Sequence, residues 1–184
     1  MGLAVPFDAG LIYSDDHGVN WKFGGVGPPG TRESEVAQIP STTGDATLYM
    51  NARNFGETPG HRYTASCSKG GQVCGDYALD QSLTSPVTPH WTGIVDAVLA
   101  VPSSSGGGGK LVFSGIGDTT VRANMTVRTS GNNGKSWSEA TEIYAGPSAY
   151  SDLALADDAG NVAIIFENGV STFADRVSVV VFQL

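Results

Sequence analysis

The side chains able to do chemistry are sparse, and their spacing argues against several kinds of site. The histidines His17, His61 and His90 form no pair with metal-ligand spacing, and no Ser/His/Asp set emerges around them. The two cysteines, Cys67 and Cys74, are seven positions apart. They could close a disulfide across a hairpin or remain thiols, and two ligands are too few for structural zinc.

Acidic and glycine-rich segments also favour structural roles over ligand binding. Four aspartates lie in turn-like segments: Asp15, Asp16, Asp157 and Asp158. They lack the full ligand series of an EF-hand, so turn capping accounts for them better than calcium. Lys110 is followed by Leu111, and the first glycine required before Lys135 would fall at Thr129, so neither lysine fits a phosphate-binding loop. We therefore predict no metal and no cofactor.

The composition excludes several classes of partner. The net charge is −8 and the pI is about 4.6, whereas nucleic acid and anionic membranes favour basic surfaces. No run of 18 apolar residues occurs, which predicts no membrane span. A few arginines in a pocket can still create a local anion site. The oligomeric state is not determined by the sequence.

Short, alternating apolar runs predict an all-β chain. Charged residues make up only 15%, while the chain has 25 glycines and 9 prolines, which argues against a helical bundle. The predicted strands are Ala4–Pro6, Leu11–Tyr13, Leu48–Asn51, Gly93–Val101, Leu111–Phe113, Met125–Arg128, Val162–Phe166 and Val177–Phe182. The predicted turns are Gly24–Gly30, Thr42–Asp45, Lys69–Gly71, Ser103–Gly109, Gly131–Gly134 and Asp157–Gly160.

One motif recurs along the chain. Ser14–Trp21 fits Ser-x-Asp-x-Gly-x-x-Trp, Ser130–Trp137 repeats it with Asn132 in the Asp place, and Ser66–Val73 is a decayed copy. Such spacing in an all-β chain indicates propeller blades, each a four-stranded sheet. We expect the Ser and Asp or Asn side chains to bind turn amides, the glycine to take a positive φ, and the Trp to pack under its hairpin. These hairpins should therefore be structural and lie away from any site.

The repeats are Asp boxes, and with their neighbours they make the chain resemble the sialidase family. Members of that family are six-bladed propeller glycosidases that release terminal sialic acid. The segments that carry the resemblance are Tyr13–Trp21, Glu33–Ala37, Leu48–Asn54, Arg122–Val127, the second box, Ala149–Leu153 and Ile164–Gly169. The resemblance spans nearly the whole chain and implies an all-β fold with about three blades of the six.

The resemblance implies that Tyr150 is the nucleophile and Glu33 its base. A neutral phenol suits an anomeric carbon that bears a carboxylate, because a carboxylate nucleophile would be repelled there. A phenol with a pKa near 10 needs an adjacent base at neutral pH. Glu35 competes with Glu33, since alternation puts both on one face of a strand. The spacing to Arg53, 20 residues beyond Glu33, favours Glu33.

The resemblance also assigns binding and supporting residues. Arg53 and Arg122 would be two of the family's three arginines that hold the substrate carboxylate, a role that suits the planar guanidinium. Glu167 resembles the carboxylate that orients the first arginine of that triad. Arg62 and Arg128 are instead interpreted as structural, in surface or salt-bridged positions.

Two parts of the family pattern have no counterpart in the chain. Neither the Arg-Ile-Pro motif of the first arginine nor the following acid/base Asp occurs before Tyr13. Residues 1–184 are therefore interpreted as the C-terminal portion of one propeller domain, inactive alone, whose parent acts on sialylated glycans. The alternative is a non-catalytic Asp-box propeller that binds glycans or proteins. The sequence does not determine linkage preference, transfer against hydrolysis, or compartment.

Overall fold

A computed structural model describes residues 8–39, 46–54, 60–84, 97–103 and 108–184. Apart from a 3₁₀ turn at Lys69–Gly71, the regular structure in these ranges is β, which confirms the predicted class. The strands are β1 (Gly10–Tyr13), β2 (Lys22–Val26), β3 (Thr31–Gln38), β4 (Leu48–Asn54), β5 (His61–Ser68), β6 (Val73–Cys74), β7 (Ala78–Thr84), β8 (Ala97–Pro102), β9 (Gly109–Ile116), β10 (Ala123–Ser130), β11 (Thr141–Leu155), β12 (Val162–Asn168) and β13 (Arg176–Phe182). No helix in these ranges is long and apolar enough to cross a bilayer.

Antiparallel sheets follow one another along the chain. β1 and β2 form a hairpin, and β3 to β7 form a second sheet, sheet A. The long strand β11 changes partners: its first half pairs with β10 and its second half with β12. This divides the remaining strands into sheet B (β8, β9, β10 and the first half of β11) and sheet C (the second half of β11, β12 and β13). The arrangement is part of a β-propeller, about three blades, as the repeat spacing predicts.

Apolar clusters join each sheet to the next. Buried Ala9 packs with Met50 and Ala52 between the β1–β2 hairpin and sheet A. Tyr49 of sheet A packs with Val98 and Leu111 of sheet B. The largest cluster joins sheets B and C and contains Ala97, Val101, Val112, Ile116, Met125, Val127, Leu153, Val162, Ile164 and Phe166. Burial between successive sheets therefore stabilises the stack.

The two complete boxes form matching turns. In the first, Ser14 Oγ accepts the amide of Gly18 at 2.8 Å and Asp16 accepts that of Asn20 at 2.8 Å. In the second, Ser130 Oγ accepts the amide of Gly134 at 2.9 Å, and Asn132 Oδ1 accepts that of the residue four positions on. Both glycines take a positive φ, 85° and 81°. The predicted turn chemistry is confirmed.

The two box tryptophans differ. Trp21 is 61% exposed and donates to Gly18 O within its own turn at 3.1 Å. Trp137 packs edge-on against Phe113 of sheet B and Tyr49 of sheet A, with ring centroids 5.9 Å apart in each case. The expectation that each Trp packs under its own hairpin is therefore wrong for Trp137, which joins two sheets.

Several other expectations need correction. The predicted turn Gly24–Gly30 is wrong in its first half, which belongs to β2. Those glycines serve close approach instead, because a Cβ on Gly25 would collide with Cys74 Sγ. Cys74 is disulfide-bonded to Cys67 directly across β5 and β6, which resolves the open alternative. The predicted strand Ala4–Pro6, the turn Thr42–Asp45, the start of Gly93–Val101 and His90 lie outside the described residues.

Arg62 is not a surface arginine, contrary to the interpretation of its sequence position. Its side chain is fully buried in β5, and its Nε donates to Asn51 Oδ1 at 2.5 Å. The polar residues of β5 do not show the apolar alternation that predicts a strand. The burial of Arg62 depends on Asn51, which lies on β4, eleven residues away in the sequence.

Candidate active site

The residues proposed for catalysis lie at the opposite end of their strands from the box turns. β10 begins directly after Arg122 and ends at Ser130, the first residue of the second box. Arg53 lies near the end of β4, and Glu167 near the end of β12. The boxes are therefore remote from these residues along the strands, in agreement with a structural role.

Irregular strand pairing occurs next to three of the proposed site residues, Glu33, Tyr150 and Arg122. One extra residue in β3 shifts its register with β4 around Glu33. Another in β11 shifts the register with β12 around Tyr150. A third shift lies beside Arg122, where Asn124 takes a positive φ of 63°. Bulges re-aim side chains and are common next to active sites.

Glu33 and Arg53 form an ion pair. Arg53 Nη1 lies 3.1 Å from Glu33 Oε2 and 3.4 Å from Oε1, across the β3–β4 pair. Arg53 is buried, with 6% of its surface exposed, while Glu33 is half-buried. A buried guanidinium beside a carboxylate makes strong charge-assisted bonds, so the pair fixes both side chains.

Glu35 contacts other partners than Glu33 does, although simple strand alternation would put both side chains on the same face of β3. Its Oε2 accepts the amide of Val98 at 2.8 Å, which joins β3 to the free edge of β8. Burial raises the pKa of the Glu35 carboxyl above its usual value, and the nearby Asp152 carboxylate adds to the rise. The hydrogen bond from Val98 and the charge of Arg62 oppose it.

Arg122, Tyr150 and Glu167 lie together at the edge of sheets B and C. The Arg122 guanidinium carbon is 5.6 Å from the centroid of the Tyr150 ring. The amide of Tyr150 donates to Glu167 Oε2 at 3.4 Å. The Tyr150 side chain remains accessible, since the residue is 37% exposed. An exposed phenol beside a guanidinium can meet an anionic ligand.

An open cavity of about 330 Å³ lies over this region. Its lining residues are Glu35, Tyr150, Ser151, Asp152, Ile165, Phe166, Glu167 and Val177. Of the two glutamates, Glu35 lines the cavity together with Tyr150, whereas Glu33 does not. Among the described residues, no hydrogen bond joins the Tyr150 hydroxyl to Glu33, whose carboxylate pairs with Arg53. Catalytic hydrogen bonds are often long before a ligand binds, so this geometry leaves both glutamates as candidates.

Sequence reasoning missed the neighbours of two of these residues. Phe173, on the loop between β12 and β13, stacks on Arg122 at 4.6 Å. Asn51 is the cross-strand partner of Glu35 on β4, and its Oδ1 accepts the hydrogen bond from Arg62 Nε. An aromatic residue in an exposed loop carries no local signal of such a contact. Within the described ranges, no cluster of three or more acidic, histidine or cysteine side chains could hold a metal.

A family model described as a BNR repeat-like domain matches residues 3–164. The chain is 28% identical over 166 residues to a sialidase of Micromonospora viridifaciens, covering 90% of this chain and 24% of that protein. It is 25% identical to Sialidase-3 of Rattus norvegicus, covering 94% of this chain and 49% of the relative. The chain thus spans about a quarter of the first relative's length and about half of the second's.

The fold is also similar to a solved structure. The Hadza microbial sialidase Hz136 superposes with a TM-score of 0.77 over 96% of this chain and 32% of that one, at 24% identity. At that level of identity the likeness shows the fold alone.

Proposed function

The chain belongs to the sialidase family with BNR repeat-like domains, and we propose that it supplies the nucleophile-bearing part of an exo-α-sialidase active site. The substrates are terminal sialic acids on glycoproteins, glycolipids or oligosaccharides. The observation that carries the proposal is the placement of Tyr150, Arg122, Glu33 and Arg53 at the same end of adjoining sheets. The chemistry of sialic acid then assigns each residue a task.

Tyr150 is proposed to attack the anomeric carbon. Its phenol is accessible. A phenol also avoids the repulsion that a carboxylate nucleophile would meet from the substrate carboxylate on that carbon. Glu33 takes the phenolic proton as the new oxygen–carbon bond forms and the leaving sugar departs. Water then hydrolyses the sialyl–tyrosine intermediate, and two displacements give net retention of configuration. Glu35 remains the alternative base, because it lines the same cavity as Tyr150.

Arg122 and Arg53 are proposed to hold the substrate carboxylate. Guanidinium groups bind carboxylates bidentately and concentrate positive charge in an otherwise acidic chain. Glu33 already occupies one nitrogen of Arg53, which orients that guanidinium before the ligand arrives. Glu167 supports the site from the backbone side of Tyr150.

Binding of DANA, an unsaturated analogue of sialic acid, tests this assignment without requiring turnover. We expect saturable binding by calorimetry that is lost in R122M and in R53M. Arg128 provides a matched control. It lies on β10, the strand that begins directly after Arg122, but near the opposite end, where its Nη1 donates to Ser138 O at 2.8 Å. Equal weakening in R128M, or no saturable binding by the wild-type chain, would contradict the proposal.

We further propose that residues 1–184 alone do not turn over sialyllactose. Neither the Arg-Ile-Pro motif of the family's first arginine nor the acid/base Asp that follows it occurs before Tyr13. The leaving sugar would therefore depart unprotonated, and general acid catalysis is typically worth ~10²–10⁴-fold in rate. Release of sialic acid by the purified chain, measured by chromatography, would refute this part of the proposal while leaving the binding assignment open to its own test.

A further inference from the structure

We propose that Phe173 is a positioning residue that orients the Arg122 guanidinium for the substrate carboxylate. This inference rests on the proposed function, because it concerns how that site is organised. Phe173 lies on the loop between β12 and β13, far from Arg122 in sequence. Nothing in the spacing of the motifs brings the two side chains together, and the contact exists through the fold alone.

The Arg122 guanidinium contacts two aromatic rings. Its central carbon lies 4.6 Å from the centroid of the Phe173 ring and 5.6 Å from that of Tyr150. Both distances fall within the range of about 6 Å over which a cation is attracted to a ring face. The shorter contact is the one to Phe173, so the residue without a chemical role makes the closer stacking contact.

The loop that carries Phe173 is organised by a single carboxylate. Asp175 Oδ2 accepts the amides of Val170, Ser171 and Thr172 at 3.0, 2.9 and 3.2 Å. Asp175 Oδ1 accepts the hydroxyl of Thr172 at 2.6 Å. These bonds lower the pKa of the Asp175 carboxyl to about 2, so the loop keeps its acceptor at neutral pH.

The base of the loop is tied to β11, the strand of Tyr150. The hydroxyl of Tyr144 donates to Gly169 O at 2.6 Å, and the amide of Gly169 donates to Pro147 O at 3.1 Å. Phe173 thus lies within the turn that Asp175 closes, directly after the residues that Asp175 binds. A ring fixed in this way limits the orientations of Arg122 before any ligand arrives, and pre-organisation of this kind strengthens binding.

The size of the effect follows from the strength of cation–π contacts. Such contacts are worth ~0.5–2 kcal/mol, which corresponds to about a two- to thirty-fold change in affinity. F173L removes the π face and keeps an apolar side chain, whereas F173Y keeps the ring. F23L is a matched control, since Phe23 lies on β2 and is 89% exposed.

Two measurements test the proposal. We expect F173L to weaken DANA binding about two- to thirty-fold and to move the NMR signal of the Arg122 Nε–Hε group, assigned by its loss in R122K. F173Y should keep the wild-type DANA affinity and the wild-type Arg122 signal, and F23L should change neither of these two readouts. Unchanged DANA affinity in F173L, or F173Y behaving like F173L, would overturn the positioning role.

The NMR signal separates this proposal from the proposed function. An Arg122 signal that F173L leaves unmoved overturns the Phe173 contact whatever the ligand. If the signal moves but the wild-type chain does not bind DANA, the sialic acid function is refuted and the positioning role for that ligand falls with it.

Discussion

Truncating Trp137 should destabilise the chain far more than truncating Trp21, although both occupy the same position of an Asp box. Trp137 is half-buried, and its ring contacts Tyr49 and Phe113 on two different sheets. Its Nε1 also donates to the carboxylate of Asp80 in sheet A at 2.9 Å. Trp21 is mostly exposed, and its hydrogen bond stays within its own turn.

The magnitudes can be worked from these contacts. Replacing a buried Trp by Ala costs about 3–5 kcal/mol, so we expect about 2–4 kcal/mol for the half-buried Trp137. W137F keeps a ring and loses the hydrogen bond to the Asp80 carboxylate. Because this bond is only partly buried, the loss should cost about 1.5 kcal/mol, the lower end for a bond to a charged group. W21F should fall within about 0.5 kcal/mol of wild type, as exposed substitutions usually do.

Urea unfolding with linear extrapolation measures all three values. For a chain of this size, a loss of 1 kcal/mol lowers Tm by about 2–4 °C, so thermal scans provide a second readout. The expected order of stability is W21F above W137F above W137A. Equal losses in W21F and W137F would refute the idea that Trp137, unlike Trp21, joins two sheets.

Two further predictions concern covalent and titrating groups. The C67A/C74A variant opens the eight-residue loop that the disulfide closes. The chain-entropy relation predicts that this lowers the unfolding free energy by about 2.5 kcal/mol. A wild-type urea midpoint that does not change when a reducing agent is added would contradict this prediction. Burial raises the pKa of the Glu35 carboxyl in the folded chain, so its contribution to stability is present below its unfolded pKa of about 4.3 and is lost as pH rises through the folded value. The stability of wild type relative to E35Q should therefore fall as the pH rises above about 4.3, and parallel stability curves for the two proteins would contradict this.

Local features were predictable from the sequence because their bonds are local. The Ser14–Asp16 and Ser130–Asn132 turns are held by side chains within four residues of the amides they bind. The apolar strands, from Leu48 to Phe182, follow the alternation that burial requires. Neither feature depends on which sheet lies next to it, so residue types alone carry the information.

The remaining features depend on contacts between distant segments. Gly24 and Gly25 suggested a turn, but they lie in a strand because Gly71 and Cys74 approach them closely. Arg62 can be buried because Asn51 Oδ1 accepts a hydrogen bond from its Nε. No pattern within β5 or β2 encodes these partners.

The candidate site shows the same division. The residue types at Glu33, Arg53, Arg122 and Tyr150 could be found from their motifs, and their roles remain predictions. The different partners of Glu33 and Glu35 could not be predicted from the motifs, because strict alternation puts both side chains on one face of the strand. The register shift around Glu33 comes from one extra residue in β3, a property of the pairing with β4.

Labelling with difluorosialic acid tests the central claim, that Tyr150 is the nucleophile of a sialic acid site, most directly. Fluoride leaves the anomeric carbon without a proton from an acid, so the reagent tests the nucleophile even where general acid catalysis is missing. We predict a sialyl adduct on the peptide that contains Tyr150, detected by mass spectrometry and absent in Y150F. An adduct on Glu33 or Glu35, or unchanged labelling in Y150F, would contradict the account.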